Sequence, residues 1–355
     1  MSLVLEHVSK TYGTRRNAAV RAVQSLDLDV PSGEIVALLG SSGCGKTSTL
    51  RMVAGFEAVS EGRITLAGRR IDPLPPARRG VAMAFEGYAL YPPLSVAQNI
   101  GFGLPRGTAA ARTRELAELL EIGPILERRP AGLSGGQQQR VSLARALARD
   151  ADLHLLDEPM GQLEPQLRAV LRGRVKALVK ARGMTAVLVT HDQTEANAMA
   201  DRIAVMEGGV LQQYGAPDEL RDRPANLFVG TFLGEPPMNV MPATLEGGTL
   251  RLDHAPALTV AVPGGLRPGP VVLGVRPHRL NLGEGPWRAE IVSNHWLGDQ
   301  AHVALDLAGQ LLVAVSNTRI AGRAGSEIAL GIAPEDWHVF DATSGRALLH
   351  GGQPA

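Results

Sequence analysis

Apolar residues along this chain fall into two kinds of run. Residues 34–39 (EIVALL), 153–156 (LHLL) and 186–189 (AVLV) are almost unbroken, the pattern of strands buried on both faces of a sheet. Residues 3–8 and 23–30 (VQSLDLDV) alternate instead, and the first of these reads as an edge strand. Two further short strands are expected over 62–68 and 81–85, separated by a proline turn at 73–76. From 96 to 126 the period becomes helical, most clearly at Arg114-Glu115-Leu116-Ala117-Glu118-Leu119-Leu120, and another helix is expected over 141–149. After Phe232 the pattern changes. Residues 234–239 read as a linker, and short alternating strands such as 271–275 and 301–305, broken by Gly and Pro, have the profile of a small β-barrel. The expected organisation is an α/β domain over 1–235, with a helical subdomain at about 95–140, followed by an all-β domain over 236–355.

Composition narrows the class. At 355 residues the chain is long enough for two cores. Lys and Arg total 36 against 35 Asp and Glu, so no long-range positive field points to nucleic acid. No apolar run approaches the roughly 20 residues of a spanning helix. Glu6 interrupts the stretch where an export signal would place its apolar centre, so a non-exported protein is expected. The single cysteine, Cys44, allows no internal disulfide and fits a reducing cytosol. With no general base beside it in sequence, Cys44 reads as a small loop residue rather than a nucleophile.

The chemistry begins where the first unbroken run ends. Residues 40–47 read GSSGCGKT, two glycines four apart followed by Lys and Thr, between a strand and a helix-compatible segment at 48–54. In that context Gly40, Ser41, Ser42, Gly43, Cys44 and Gly45 let backbone N–H groups converge on an anion, and the new helix adds its positive end. Lys46 would reach the β and γ phosphates of a nucleoside triphosphate, and the Thr47 hydroxyl would ligate Mg²⁺. A second Gly-Ser segment, Leu133-Ser134-Gly135-Gly136-Gln137, precedes the helix expected over 141–149. One phosphate chain rarely needs two such sites, so the second suggests a site shared between subunits.

The run at 153–156 ends in Asp157 and Glu158. Either this is a surface acidic pair, or Asp157 contacts Mg²⁺ while Glu158 polarises an attacking water. His191 follows the strand at 186–190, where ligands of open parallel sheets gather, and is placed to touch a γ-phosphate. Tyr12 lies in a turn-rich stretch, either beside a purine or simply exposed.

Together GSSGCGKT, LSGGQ, LLDEP and Thr190-His191-Asp192 resemble the ATPase subunits of ABC transporters, with LSGGQ separating this family from other phosphate-loop NTPases. FLGEPPMN, LGVRPHRL and APEDWHVFD are similar to the tandem OB-like (TOBE/MOP-type) C-terminal domain of bacterial importers. The Pro-Pro-Met-Asn linker is most similar to subunits serving maltose, other sugars and glycerol phosphate; subunits for polyamines, sulfate or iron usually differ there. The resemblance implies an ATPase driving solute import, with ATP and Mg²⁺ as its ligands. Tyr12 would stack on adenine, and Ser41 to Ser48 would wrap the phosphates. Thr47 and Asp157 would hold Mg²⁺, Glu158 would be the general base, and His191 would sense the γ-phosphate. Ser134, Gly135, Gly136 and Gln137 would complete the ATP site of a facing ATPase subunit, either a second copy or a paralogue. Two transmembrane permease subunits and, indirectly, an extracellular solute-binding protein are the other implied partners, and nucleic acid is not among them. The implied location is the cytoplasmic face of a bacterial inner membrane, as a peripheral subunit.

Three positions depart from the family. Glu86 stands where Gln is usual, in the loop that feels Mg²⁺, so it is a candidate for both the metal and the catalytic set. Glu164 stands where Asp is usual, in a loop at the dimer interface, and the helical stretch between Leu104 and Leu120 is a few residues short. Two other readings compete. A DNA-repair or translation ATPase of the same family would carry coiled-coil insertions or two fused cassettes, which are lacking here. A nucleic-acid-binding barrel would need a basic, aromatic-rich face, whereas Trp287, Trp296 and Trp337 are scattered among acids and apolar residues.

Overall fold

In the computed structural model, residues 2–13, 19–262, 266–351 and 353–355 are described. The chain divides into two compact units, Met1–Pro217 and Asp218–Ala355. In the first, the strands are β1 (Leu3–Tyr12), β2 (Val20–Val30), β3 (Ile35–Gly40), β4 (Glu61–Leu66), β5 (Arg69–Arg70), β6 (Val81–Ala84), β7 (Leu153–Asp157), β8 (Ala186–Thr190), β9 (Arg202–Glu207) and β10 (Val210–Gly215). The helices are α1 (Lys46–Ala54), α2 (Val96–Gly101), α3 (Arg106–Leu119), α4 (Gly135–Ala148), α5 (Pro165–Ala181) and α6 (Gln193–Met199).

A six-stranded sheet in the order β10-β9-β3-β8-β7-β6 forms the centre of this unit. Its strands run parallel from β9 to β6, and only the edge strand β10 is antiparallel. Every residue of β3, β7 and β8 is buried, as strands covered on both faces must be. The register sets Leu39 beside Thr190, Asp157 beside Val189, and Ala84 beside Leu156. The loops that follow β3, β6, β7 and β8 therefore leave the sheet along one edge. That edge carries the candidate residues.

A second sheet, β2-β1-β4-β5, is antiparallel, with β1 in its interior and paired on both sides. This corrects the edge-strand expectation for residues 3–8. Alternation reports only that one face is covered; it is silent about neighbours on either side. Leu3, Leu5 and Val8 point into the core shared with Leu50, Leu155 and Val189.

The helical stretch expected from 96 to 126 is broken into α2, α3 and a short 3-10 turn, Gly123–Ile125. Phe102 to Pro105 separate the first two; Gly103 lies at φ +78 and Pro105 caps α3. The helix expected over 141–149 begins earlier, at Gly135, because Ser134 caps it. The amphipathic α5, burying Leu171, Val175 and Val179, and the pair β9 and β10 add to the elements expected from sequence.

The second unit starts upstream of the boundary expected at 235. Two short helices, α7 (Pro217–Asp222) and α8 (Leu227–Phe232), come before its first strand, β11 (Asn239–Glu246). Buried Arg276 explains α8's membership. Its guanidinium donates to Gly230 O and Leu233 O in and just after α8, and to Arg221 O in α7. Burial pulls that guanidinium down to about 10. The remaining strands form sheets of seven and four, paired antiparallel throughout. One apolar core, including Trp287 and Trp337, lies between residues of both sheets, as an all-β module requires.

Candidate functional site

The loop between β3 and α1 is shaped by contacts that tolerate no side chain. A Cβ on Gly40 would sit 2.2 Å from Met206 O, and one on Gly45 would sit 2.4 Å from Ala22 O. Gly45 also has φ +104, a left-handed conformation that only glycine adopts freely. Inside this turn the buried Lys46 donates from Nζ to Gly40 O at 2.8 Å and Ser41 O at 2.9 Å. The ammonium is thus bound by the loop's own carbonyls and fixed at its centre. Cys44 is buried, 3.6 Å from Lys46 Nζ, a packing residue of the turn.

On the neighbouring strand ends, Glu158 stands just beyond β7 at φ +47, a left-handed conformation that costs a non-glycine residue about 1–3 kcal/mol. Three contacts hold it there. Its N–H donates to Val189 O at 2.9 Å, and its carbonyl accepts from Gln139 Nε2 of α4 at 2.7 Å. His191 Nδ1 meets its carboxylate at 2.9 Å. Gln139 Oε1 also accepts from Gln162 N at 2.9 Å, so a single amide from α4 clamps both sides of the turn after β7.

These groups meet in a cleft of about 560 Å³ lined by Ser42, Gly43, Lys46, Thr47, Glu86, Gln139, Glu158, Gly161, Gln162 and His191. Asp157 is 4% exposed at the end of β7, and its Oδ1 has no hydrogen-bond partner. Burial first, then the carboxylates of Glu86 and Glu158, push it up to about 6. The cleft therefore brings together Ser42, Gly43, Lys46 and Thr47 of the loop with Glu86, Glu158 and His191, and Asp157 is close enough to feel the charges of Glu86, Glu158 and Lys46. Gln139, Gly161 and Gln162 are the members that sequence reasoning did not single out. Gln139 lies three residues past Gly136 on the same helix, one turn in, a spacing that could have raised it.

Two groups of expected residues lie elsewhere. Ser134 and Gln137 bond reciprocally at the start of α4, Ser134 Oγ accepting from Gln137 N and Gln137 Oε1 from Ser134 N. Gly135 and Gly136 back onto Gln162, and none of the four lines the cleft. Tyr12 donates from its hydroxyl to Ser48 Oγ at 3.3 Å, with Lys10 Nζ 4.7 Å from the ring centroid; it too is outside the cleft lining.

A glycine-rich loop after β3, a carboxylate just beyond β7 two strands away in the same parallel sheet, and a capped Ser-Gly-Gly-Gln helix define an ATP-binding cassette, here followed by an all-β module. The ABC transporter family model matches residues 23–161, and the TOBE domain model matches residues 273–340. The sn-glycerol-3-phosphate import ATP-binding protein UgpC of Ruegeria sp. (strain TM1040) is 39% identical, over 98% of this chain and 99% of its own length. The trehalose/maltose import ATP-binding protein MalK of Thermococcus litoralis is 42% identical, over 93% and 96% respectively. Among solved structures, the dimeric ATP-binding cassette MJ0796, in a post-hydrolysis state bound to ADP and Pi, aligns with a TM-score of 0.56 at 26% identity. That alignment covers 61% of this chain and 98% of that one. The chain belongs to the ABC transporter family, among its import ATP-binding subunits, and is an ATPase. No helix among the described residues is long and apolar enough to cross a membrane.

Proposed function

We propose that this chain hydrolyses ATP in the Lys46–Glu158 cleft to drive import of a carbohydrate, polyol or glycerol-phosphate-like solute. The observation that carries the reading is the convergence of Lys46, Thr47, Glu86, Glu158 and His191 on one cleft. The substrate class rests on the relatives named for sn-glycerol-3-phosphate and for trehalose and maltose.

The backbone N–H groups of residues 41–45 and the first turn of α1 bind the phosphates, with Tyr12 against the adenine. Lys46 gives its ammonium to the β and γ phosphate oxygens in place of Gly40 O and Ser41 O. Glu158, aimed by His191 and by its backbone clamps, takes a proton from the attacking water. His191 meets the Glu158 carboxylate through Nδ1, and contact with the γ-phosphate through Nε2 would require that nitrogen to carry a proton as well.

Thr47, Asp157 and Glu86 would hold Mg²⁺. Two features support that set: Asp157 offers a buried oxygen with no other partner, and Thr47 and Glu86 line the cleft. Magnesium is usually held by one or two carboxylates with substrate phosphates supplying the rest. When bound, the ion neutralises charge developing on the transferred phosphoryl group.

The capped segment Ser134, Gly135, Gly136 and Gln137 lies off this cleft, which supports its serving the ATP of a facing subunit. The functional division is an ATPase domain over 1–235 and a regulatory or dimerisation domain over 236–355. Two permease subunits and an indirectly acting solute-binding protein complete the assembly at the cytoplasmic face of the bacterial inner membrane. Affinity purification of the tagged chain from its host tests this assembly. The reading expects two permease subunits, a second ATPase chain, and turnover raised by the sugar- or glycerophosphate-loaded binding protein. Recovery without any membrane subunit would contradict it.

A further inference from the structure

Glu195 is 2% exposed, yet the reading above gives it no task. It occupies the third position of α6, three residues after the cap Asp192. In a reciprocal cap its carboxylate would reach back to the Asp192 N–H. Here that N–H donates to Thr190 Oγ1 at 3.0 Å instead. The Glu195 carboxylate turns inward, where Oε2 accepts from Thr190 Oγ1 at 2.5 Å and Oε1 is left with no partner. Capping is still achieved, because Glu195 N donates to Asp192 Oδ1 at 2.9 Å. The inward carboxylate is therefore surplus to the helix. A buried polar oxygen without a partner carries a cost of about 1–3 kcal/mol.

The arrangement brackets His191 along the chain. Thr190 is fully buried, and its hydroxyl joins Glu195 to the Asp192 amide across that residue. Asp192 continues outward: Oδ2 accepts from Arg168 Nη1 at 3.2 Å, and Arg168 Nη2 donates to Gly161 O at 3.3 Å and Leu163 O at 3.1 Å. Gly161 and Gln162 line the same cleft as His191.

We propose that Glu195 and Thr190 are positioning residues that set the His191 turn, and that Arg168 transmits this setting to the loop at 161–163. The two walls of the cleft then hold one mutual geometry, and the His191–Glu158 contact depends on a buried carboxylate outside the cleft lining. This inference rests on the hydrolytic reading of the cleft.

The test uses the full chain assembled with its permease subunits, measuring kcat, KM for ATP, affinity for trinitrophenyl-ATP and melting temperature. Thr190→Val removes the hydroxyl at constant shape. It is expected to lower kcat about tenfold or more while trinitrophenyl-ATP affinity stays within about twofold. Thr190→Ser should restore turnover. Arg168→Gln should lower kcat in the same way, and the double variant should be little worse than either single one, since both break one chain of bonds. Should Thr190→Val fail to accumulate, Arg168→Gln, whose side chain is partly exposed, carries the same kcat expectation alone. A kcat loss that merely follows the folded fraction, no restoration by Ser, or additive losses would overturn the proposal. Absence of turnover in the unaltered assembly would instead sink the hydrolytic reading itself.

Discussion

Gln139 gives a sharp quantitative expectation because one side chain bridges two backbone groups of the turn after β7. Gln139→Leu keeps the volume and removes both bonds, to Glu158 O at 2.7 Å and from Gln162 N at 2.9 Å. Each such bond is worth about 0.5–1.5 kcal/mol, and a buried group left unsatisfied costs about 1–3 kcal/mol. Glu158 already pays about 1–3 kcal/mol to stand at φ +47. A clamp and a strain of similar size mean that losing the clamp lets Glu158 relax to ordinary backbone. A shift of about 2 kcal/mol leaves the active arrangement populated roughly thirtyfold less. Turnover of the assembled transporter should fall by about that factor, with ATP affinity nearly unchanged, because Lys46 and the phosphate loop are untouched. Gln139→Glu, which keeps the acceptor and loses the donor, should fall between. Wild-type kcat in a folded Gln139→Leu variant would refute the clamp.

Two other perturbations probe separate parts of the site. Glu86→Gln replaces an anionic oxygen by an amide oxygen, which a hard dication binds less well, so the Mg²⁺ concentration for half-maximal turnover should rise by roughly tenfold. An unchanged or lowered value would remove Glu86 from the metal set. For Glu195 the expectation is a pH dependence. Burial, with Asp192 and Glu158 adding to it and Thr190 and Arg168 opposing, pushes its carboxyl from 4.5 up to about 7. Between those values the folded chain holds a proton that the unfolded chain has released. Its contribution is then full below the unfolded value and lost as pH rises through about 7, by roughly 3 kcal/mol. Glu195→Gln cannot titrate, so its melting temperature should gain on wild type from pH 5 to pH 8. A constant offset would contradict the buried-carboxyl reading.

The fully buried strands β3, β7 and β8 were legible because unbroken apolar runs have few other uses, and their ends placed Lys46, Glu158 and His191 along one edge. The phosphate loop was legible because Gly40 and Gly45 answer to contacts that exclude a Cβ. Gln139 and Glu195 were not. A helical glutamine or glutamate is ordinary on a surface, and only the fold brings the first to Glu158 O and turns the second onto Thr190. Strand position failed for a related reason. The alternation in β1 records its covered face, while its partners β2 and β4 are set by register between distant segments. Residues 217–232 read as a continuation of the first domain, whereas the compact units divide at Pro217 and Arg276, over forty residues later, ties α8 to the second unit.

The central claim is that Glu158 is the base for ATP hydrolysis in this cleft, and Glu158→Gln in the purified assembly tests it directly. The amide keeps the shape and its hydrogen-bonding reach to His191 but cannot accept a proton from water. The account predicts ATP bound with affinity close to wild type and turnover reduced by about 10²–10⁴. Turnover at the wild-type rate in that variant, with ATP bound, would contradict it.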